Sequence, residues 1–319
     1  MKKLIVLATL AALPAAAMAD VTISGNLAIG IVNSKDSGKG SLTTEDRTSG
    51  EIKFAGSDDL GNGLKAVWQI ATKINQADPA AAAGWATRDS YVGVDGSFGR
   101  LTAGNIYLMP STGAMSIFEN NSAGWKSDLY DQGTRYNNTL SYKAPTVYGI
   151  TTTVQHSFGK TSTEENAKQY ADVVEIAYEG NGFSLSYDNQ TTKQNAQAQK
   201  TKLHELNGSV SLDALTLQAG YAHKKDETAT TGAYKRSGWG VAASYALGNV
   251  TPKFGYWKEG DSEQKSGAKN NDGHSAYALG VEYALSKRTR TGVEFAKANF
   301  DNTATADTRA ITVYLGTKF

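Results

Sequence analysis

The sequence predicts an all-β protein: a transmembrane β-barrel of sixteen antiparallel strands, with short turns at one end and long loops at the other. Three observations lead to this fold class. Apolar and polar residues alternate with a period of two from residue 20 to the last residue, short and long connections alternate along the chain, and aromatic residues collect at both ends of the strands. These features are typical of a closed sheet with one apolar and one polar face.

The first nineteen residues have the features of a secretory signal. Lys2 and Lys3 precede an apolar run from residue 4 to residue 17, and Ala17-Met18-Ala19 offers a cleavage site between small residues. The run is too short for a membrane-spanning helix. We therefore expect residues 1–19 to be a cleaved signal peptide and residues 20–319 to form a single barrel domain.

The alternation is clear in both terminal segments of this domain. Near the C-terminus Ile311, Val313 and Leu315 share one face, whereas Thr312 and Tyr314 share the other. An N-terminal strand from residue 21 to residue 31 behaves alike. The last predicted strand is 308–319. Between these two terminal strands lie fourteen others, which brings the total to sixteen: 47–58, 63–74, 87–96, 100–108, 135–144, 149–158, 169–178, 183–192, 202–212, 215–224, 235–246, 250–258, 274–285 and 290–300.

The connections between these strands alternate in length. Short turns are predicted at 59–62, 97–99, 145–148, 179–182, 213–214, 248–249 and 286–288, and long polar segments at 33–46, 75–86, 109–134 and 259–273. This asymmetry is typical of outer-membrane barrels, which have turns in the periplasm and loops outside the cell. An even number of strands then places both termini on the periplasmic side.

Aromatic residues occur at both ends of the predicted strands. Tyr178, Tyr245, Tyr283 and Phe319 adjoin short turns, and a second set lies towards the long loops: Tyr107, Phe158, Tyr221, Tyr256 and Phe300. Two such sets predict aromatic belts at the two membrane interfaces. The alternative, that these rings pack in a soluble core, is disfavoured because the opposite strand face is too polar to be a second buried surface.

Composition excludes several classes of function. Cysteine is absent, so disulfides, thiolate metal sites and a cysteine nucleophile are ruled out. Without Lys2 and Lys3 the chain has 30 basic and 31 acidic residues, interleaved rather than in blocks. Such a balance gives no sign of a nucleic-acid partner. No cofactor motif occurs, and we expect none to be bound.

The histidines do not form a catalytic pattern. A barrel hydrolase needs a histidine beside a serine or carboxylate at one lip. By alternation His156, His204 and His223 lie on the outer face, and His274 lies at a loop boundary. None has the spacing of a metal site. We therefore do not expect an enzyme.

Several stretches of the sequence resemble the general-diffusion porins of β-proteobacteria, the Neisseria-type trimeric porins. The matching stretches are DVTISG (20–25), FAGSDDLGNGLKAVWQ (54–69), RDSYVG (88–93), GRLTAGN (99–105) and YLGTKF (314–319). The resemblance covers the whole mature chain and is most specific in 61–69. It implies a homotrimer of sixteen-stranded barrels in the cell outer membrane, through which ions and small hydrophilic solutes diffuse passively. It also implies that the third long loop folds inward.

That third loop is 109–134, and its acidic residues are Glu119, Asp128 and Asp131. It lacks the Pro-Glu-Phe-Gly-Gly run of enteric porins. By alternation, basic residues of the neighbouring strands face the lumen: Arg47, Lys53, Lys65, Arg100 and Arg135. Opposed rows of basic and acidic groups in a pore create a transverse field that selects ions. We expect these eight residues to line the pore and its constriction.

Roles are expected for two further residues, Phe319 from the family resemblance and Arg88 from its position in the sequence. Phe319 resembles the terminal aromatic signal for the outer-membrane barrel assembly machinery, and would also anchor the periplasmic aromatic belt. Arg88 faces outward by alternation and lies near a loop, where it would serve a neighbouring subunit or lipopolysaccharide. The two identical partner subunits are expected to pack on outer faces near the closure: Val21, Ile23, Leu27, Val313 and Leu315.

Two other functions are compatible with a barrel. A substrate-specific channel would need an aromatic path, but Trp85, Trp125 and Trp257 do not follow one strand. An adhesin or receptor that only displays its loops would need a very large external loop, and none exceeds the third. The diffusion channel is the preferred interpretation.

Overall fold

The computed structural model describes residues 21–36, 39–46, 50–75, 77, 84–108, 117–118, 135–159, 169–194, 199–227, 233–302 and 305–319. The strands are β1 Thr22–Asp36, β2 Lys39–Asp46, β3 Glu51–Gly61, β4 Leu64–Lys73, β5 Ser90–Gly96, β6 Gly99–Tyr107, β7 Arg135–Lys143, β8 Ile150–Ser157, β9 Gln169–Gly180, β10 Phe183–Gln194, β11 Gln199–Leu212, β12 Leu215–Asp226, β13 Lys235–Tyr245, β14 Val250–Glu259, β15 His274–Ala284, β16 Thr289–Phe300 and β17 Thr308–Lys318.

These strands form one antiparallel sheet in which, apart from β2 and β3, strands that follow each other in the chain pair, and the sheet closes through β1 and β17. Ile29 lies opposite Leu315 across this seam. β2 and β3 pair in turn with the same side of β1, at residues 29–36 and 22–26. They are two segments of one wall strand. The barrel therefore has sixteen strands around its wall, as predicted.

The first connection differs from the prediction. The segment 33–46 was expected to be a loop, but β1 continues to Asp36 and β2 begins at Lys39, with Asp36 opposite Lys39. The backbone groups of the two strands satisfy each other, so the hairpin needs no apolar residues to extend beyond the membrane. The polarity of this segment therefore indicates contact with water and not the end of a strand.

The two faces of the wall differ sharply in β17. Ile311, Val313 and Leu315 are each about half exposed on the isolated barrel, whereas Thr312 and Tyr314 are buried. A similar alternation occurs in β13 and β15. Apolar side chains thus cover the outer face, and small or polar side chains cover the inner face, as a barrel surrounded by lipid requires.

Short turns are formed by residues that tolerate a left-handed backbone. Asn62 and Gly63 have φ values of 54° and 76°, and Asn181 and Gly182 have 51° and 74°. Two consecutive positive φ values match the right-handed twist of a hairpin, which is why Asn-Gly recurs there. These turns lie where the sequence predicts them.

The aromatic belts are mostly as predicted. On the turn side Tyr245, Tyr283 and Phe319 are exposed on the outer face, and so are Phe158 and Tyr221 on the loop side. Phe300 was wrongly assigned to the outer belt: it packs on the inner face, stacked with His274 at 5.1 Å between ring centroids. Among the described residues no helix is long and apolar enough to cross a membrane.

Candidate functional site: the charged lumen

The inner face is where charged side chains converge. Two of its regions are the N-terminal wall, β3–β7, and the C-terminal wall, β13–β17. The segment 109–134 joins β6 to β7 and so begins and ends on the N-terminal wall. Its described residues, Ile117 and Phe118, lie far from there.

Phe118 packs against the opposite side of the barrel. It is 3% exposed and belongs to a cluster of inner-face residues on β11–β16, chiefly small ones: Leu203, Ala222, Ala242, Trp257, Ala276, Ala278, Ala296 and Ala298. Lys253 of β14 donates a hydrogen bond from Nζ to the carbonyl oxygen of Ile117 at 2.8 Å. The small alanine side chains leave room for the large Phe118 ring, so the two surfaces pack closely.

Four of the predicted pore residues, Arg47, Glu119, Asp128 and Asp131, lie outside the described residues. Lys53 is described, and it lies on the inner face of β3 opposite Ala71, a buried residue. Its Nζ is 3.4 Å from Glu51 Oε1, and the side chain is 34% exposed. Lys53 is thus an accessible charge within the lumen.

Lys65 and Arg100 lie at the end of their strands that is away from residue 109, where the third loop begins. Lys65 is the second residue of β4 and Arg100 the second of β6, so both lie next to short turns at the periplasmic end. Lys65 faces Asp95 in the register, and Arg100 donates a hydrogen bond from Nε to Asp95 Oδ2 at 2.8 Å. Alternation predicted their face of the sheet but could not give their height in the channel.

The alternation does not carry through β7 to Arg135. The register with β6 shifts between Gly104 and Ile106, and Asn138 has a φ of 54°, which marks a β-bulge. Counting along β7 therefore does not place Arg135 on the lumen face, although the alternation predicted it there. Contacts position Arg135 instead: its Nε donates to Asp89 Oδ1 at 2.9 Å, and its guanidinium lies 4.6 Å from the centre of the Tyr107 ring.

Arg88 belongs with this group, which the sequence analysis missed. It precedes β5, is partly buried, and is close enough to Arg135, Asp89 and Glu51 for their charges to act on it. Glu51 lies on the inner face, opposite Asn26 and Lys73. Residues 84–89 lie outside regular strand, so the outward orientation predicted by alternation does not extend to Arg88.

The C-terminal wall carries a buried ion network at its extracellular end. Arg236 Nη1 lies 3.2 Å from Glu259 Oε2, and its Nη2 is hydrogen-bonded to Asp272. Trp257 Nε1 donates to Glu259 Oε1 at 3.2 Å. Burial opposes ionisation of Asp272, but hydrogen bonds from Ser262 and the charge of Arg236 outweigh it and lower the pKa of Asp272.

A second network lies lower on the same wall. Lys253 Nζ is 2.8 Å from Glu282 Oε2 and 4.0 Å from Glu294 Oε1. The hydroxyl of Tyr314 donates to Glu282 Oε2 at 2.8 Å, and Arg290 Nε lies 3.5 Å from the same oxygen. The Tyr314 ring occupies the space beside Gly292, where an added Cβ would be 2.6 Å from Cζ. No local sequence signal indicates this network, because its members lie on four different strands.

A third feature is an acidic row on β9–β11. Glu175 lies opposite Asp188, and Asp188 lies opposite Glu205. Asp188 and Glu205 are each 4% exposed. The same register line continues through Thr153 and Lys143 to Arg100. One line around the lumen thus passes from basic residues on the N-terminal wall to acidic residues beyond it.

The described ranges offer no metal centre, because no three histidine, aspartate or glutamate groups there could hold an ion. Three histidines are on the outer face as predicted. His156 Nδ1 lies 2.7 Å from Asp172 Oδ1 and both side chains are exposed, while His223 contacts Ser237 at 2.7 Å on other strands. The carboxylate and the serine are thus on different parts of the outer surface.

Comparison with known proteins gives a consistent result. The family model described as Gram-negative porin matches residues 5–303. The chain is 29% identical over 305 residues to the major outer membrane protein P.IB of Neisseria meningitidis serogroup B, and 31% identical over 330 residues to that of Neisseria gonorrhoeae. In both comparisons the match covers 91% of this chain and 91% of the relative.

Solved structures share the fold. The anion-selective porin from Comamonas acidovorans matches with a TM-score of 0.79 at 21% identity, over 94% of this chain and 100% of that one. The trimer form of OmpT from Vibrio cholerae matches with a TM-score of 0.72 at 12% identity, over 94% and 99%. Salmonella typhi OmpF in complex with daunomycin gives 0.71 at 17% identity, over 94% and 98%.

Proposed function

The chain belongs to the Gram-negative porin family, and from this premise we propose how its lumen selects the ions and solutes that diffuse through it. It is an outer-membrane porin that forms a diffusion channel, and it is not an enzyme. The observation that carries the function is the contrast between the two faces of the closed wall. An apolar outer face fits lipid, and a polar, charged inner face fits water.

The segment 109–134 is proposed to cross the lumen and narrow it. Its ends join the N-terminal wall, and Phe118 packs on the alanines of the opposite side. A chain held at both places must pass through the space between them. Glu119, Asp128 and Asp131 on this segment would then face the basic residues of the wall, and the field between them would act on passing ions.

The basic side of this constriction is proposed to be Lys53, Arg88 and Arg135, with Arg47 beside them in the sequence. The proximity of Arg88 to Glu51, an inner-face residue, favours the lumen for the whole group. Lys65 and Arg100 form a second basic group near the periplasmic mouth. Ions would thus meet two charged zones at different depths.

Assembly is also a proposal. The trimer form of OmpT is a structural neighbour, and we propose that this porin is likewise a homotrimer. The apolar outer faces beside the β1–β17 seam offer the contact surface: Val21, Ile23, Leu27, Val313 and Leu315. Residues 1–19 would direct export before removal. Phe319, whose N and O both bond to Gly25 at the seam, would be the residue that the barrel assembly machinery reads.

Single-channel recording in a planar bilayer under a salt gradient tests the proposal. Unheated protein purified in mild detergent should insert stepwise, each insertion giving three equal conductance levels, one from each subunit. The sign of the zero-current potential identifies the dominant charge row. Single-level insertions would overturn the trimer. Folded protein that inserts without conductance would instead favour a barrel that only displays its loops.

A further inference from the structure

The outer face of β10–β14 carries an apolar groove, away from the β1–β17 seam. Its floor consists of small residues, Gly208, Ala219 and Ala243, and it extends from Phe183 of β10 to Phe254 of β14. Gly208 lies opposite Ala219, and Ala243 lies opposite Phe254. The groove has a volume of about 510 Å³, which is within the range of small-molecule sites. Its length across five strands and its apolar lining fit an elongated apolar ligand.

Glycine at position 208 is not required by the barrel itself. Gly208 does not have a positive φ. Beyond the adjoining residues, the nearest neighbour of an added Cβ would be the carbonyl oxygen of Ser184, at 3.6 Å. That is an ordinary contact distance, so a larger residue would fit. A glycine within a strand weakens the strand and often marks the close approach of a ligand or another chain. Gly208 therefore favours contact with a group outside the barrel.

The groove lies in the periplasmic half of the apolar outer face. Phe183 is the first residue of β10 and Leu217 the third of β12, so both lie near short turns. Leu217 lies opposite Ala243, and Tyr245 of the periplasmic aromatic belt follows two residues later on β13. At about 3.3 Å per residue, this row of the groove is roughly 7 Å from the belt. Because tyrosine marks the membrane interface, the groove faces the acyl chains of the periplasmic leaflet.

The turns at the periplasmic end of the groove are acidic. Three turns lie side by side there, 179–182, 213–214 and 246–249, and backbone hydrogen bonds of 2.7 and 2.8 Å at or beside them join neighbouring turns. Their charged residues are Glu179 and Asp213, both exposed, and they contain no lysine or arginine. A lipid headgroup at this place meets negative charge, which favours an ammonium group over an anionic headgroup.

We propose that this groove binds one acyl chain of an amine-bearing phospholipid of the periplasmic leaflet. The chain lies over Gly208, Ala219 and Ala243, and the ammonium group of the lipid lies at Asp213. The inference rests on the outer-membrane placement that the porin function requires. It adds a site for a single lipid class on the outside of the barrel to the ion path within.

Native mass spectrometry of the intact, detergent-purified protein tests this site. The probes are phosphatidylethanolamine and phosphatidylglycerol with the same acyl chains. The test variant A219V/A243V places four added methyl groups in the groove, and the matched control A66V/A103V makes the same change at alanines on the outer face of β4 and β6. Each methylene group that loses its buried position costs about fourfold in affinity. Displacement of two such groups should weaken phosphatidylethanolamine binding by roughly fifteenfold in the test variant, and the control should bind as the wild type does.

G208A provides a second variant that should fold normally, because its added methyl group makes only ordinary contacts. It should lose about fourfold in affinity for phosphatidylethanolamine. Equal losses in A219V/A243V and A66V/A103V would overturn the inference, since binding would then depend on general contact with the outer face. Wild-type affinity in both A219V/A243V and G208A would also overturn it. A complex of two barrels that A219V/A243V abolishes would instead assign the groove to a second copy of the chain.

The headgroup has its own test. D213N removes the carboxylate, and asparagine tolerates the left-handed backbone at this position, where φ is 50°. An exposed ion pair contributes up to about fivefold in affinity, so D213N should reduce the preference for phosphatidylethanolamine over phosphatidylglycerol by up to that factor. Equal affinity of the wild type for the two lipids would overturn the assignment of an amine headgroup. Single-channel conductance of all these variants should stay at the wild-type value, which separates failure of this site from failure of the channel.

Discussion

The two walls of the lumen hold their charges in different ways. On the N-terminal wall Lys53 and Arg100 are 34% and 46% exposed, with acidic partners on the same or the adjacent strand. On the C-terminal wall Arg236 and Lys253 are each 8% exposed, and each contacts at least two acidic groups. Accessible charges act on ions in the pore, whereas buried pairs largely cancel each other at a distance.

This difference separates two tasks. The buried ion pairs of the C-terminal wall stabilise the barrel and the attachment of the third loop. The lower network includes Lys253, which also donates a hydrogen bond to the carbonyl oxygen of Ile117, next to the Phe118 anchor. The N-terminal wall leaves its cations in contact with water. We infer that selectivity depends mainly on the N-terminal wall, and that the integrity of the barrel and the anchoring of the third loop depend on the other.

The largest expected effect is on stability, from R236A. Removing one partner of a buried pair leaves the other charge without compensation. Glu259 has no exposed surface, so R236A should lower the free energy of unfolding by about 3 kcal/mol or more. Urea unfolding in detergent micelles measures this free energy, with the electrophoretic mobility shift of the folded barrel as the signal. The control K258A removes an exposed pair with Asp301 and should cost less than about 1 kcal/mol. Equal losses would contradict the difference between the walls.

A second effect, on conductance, is expected from F118A. Loss of the buried ring should weaken the anchor of the third loop by about 3 kcal/mol, and the freed loop should raise the mean conductance and its fluctuations. The control F254A removes an outward-facing ring of β14. In single-channel recording, F254A should have the wild-type conductance. An unaltered conductance in F118A would mean that the loop is held elsewhere.

A smaller effect should depend on pH. The folded barrel lowers the pKa of Asp272 below 3.8, so its contribution to stability is complete above that value and is lost as pH falls through the lower, folded pKa. Because Asp272 is partly exposed, its ion pair with Arg236 should contribute less than about 1 kcal/mol to the free energy of unfolding. Hydrogen exchange of residues 260–273, corrected for intrinsic rates, should therefore stay nearly constant from pH 7 to about pH 5 and rise as the pH falls below about 4. D272N should remove that pH dependence, and a variant that retains it would assign the effect to another group.

The fold could be predicted from the sequence because each strand repeats one simple pattern. Alternation, Asn-Gly turns and aromatic ends are local signals, and sixteen copies of them reinforce each other. The site was less predictable. Alternation gives the face of a residue but not its height, so Lys65 and Arg100 were placed with the constriction although they adjoin short turns.

Irregular backbone caused the other differences. The bulge at Asn138 breaks the count that placed Arg135, and the bend before β5 breaks the count that placed Arg88. The pairs between Arg236 and Glu259, and between Lys253 and Glu282, join residues 23 and 29 positions apart. Such contacts depend on the register of neighbouring strands, which local patterns do not fix.

The zero-current potential under a potassium chloride gradient tests the central claim most directly, with two variants compared. R88Q/R135Q removes two cations from the N-terminal wall, and R236M/E259Q removes a buried pair from the C-terminal wall without changing the net charge. The account predicts a shift towards cation preference in R88Q/R135Q and a wild-type potential in R236M/E259Q. A shift in R236M/E259Q as large as that in R88Q/R135Q would contradict it.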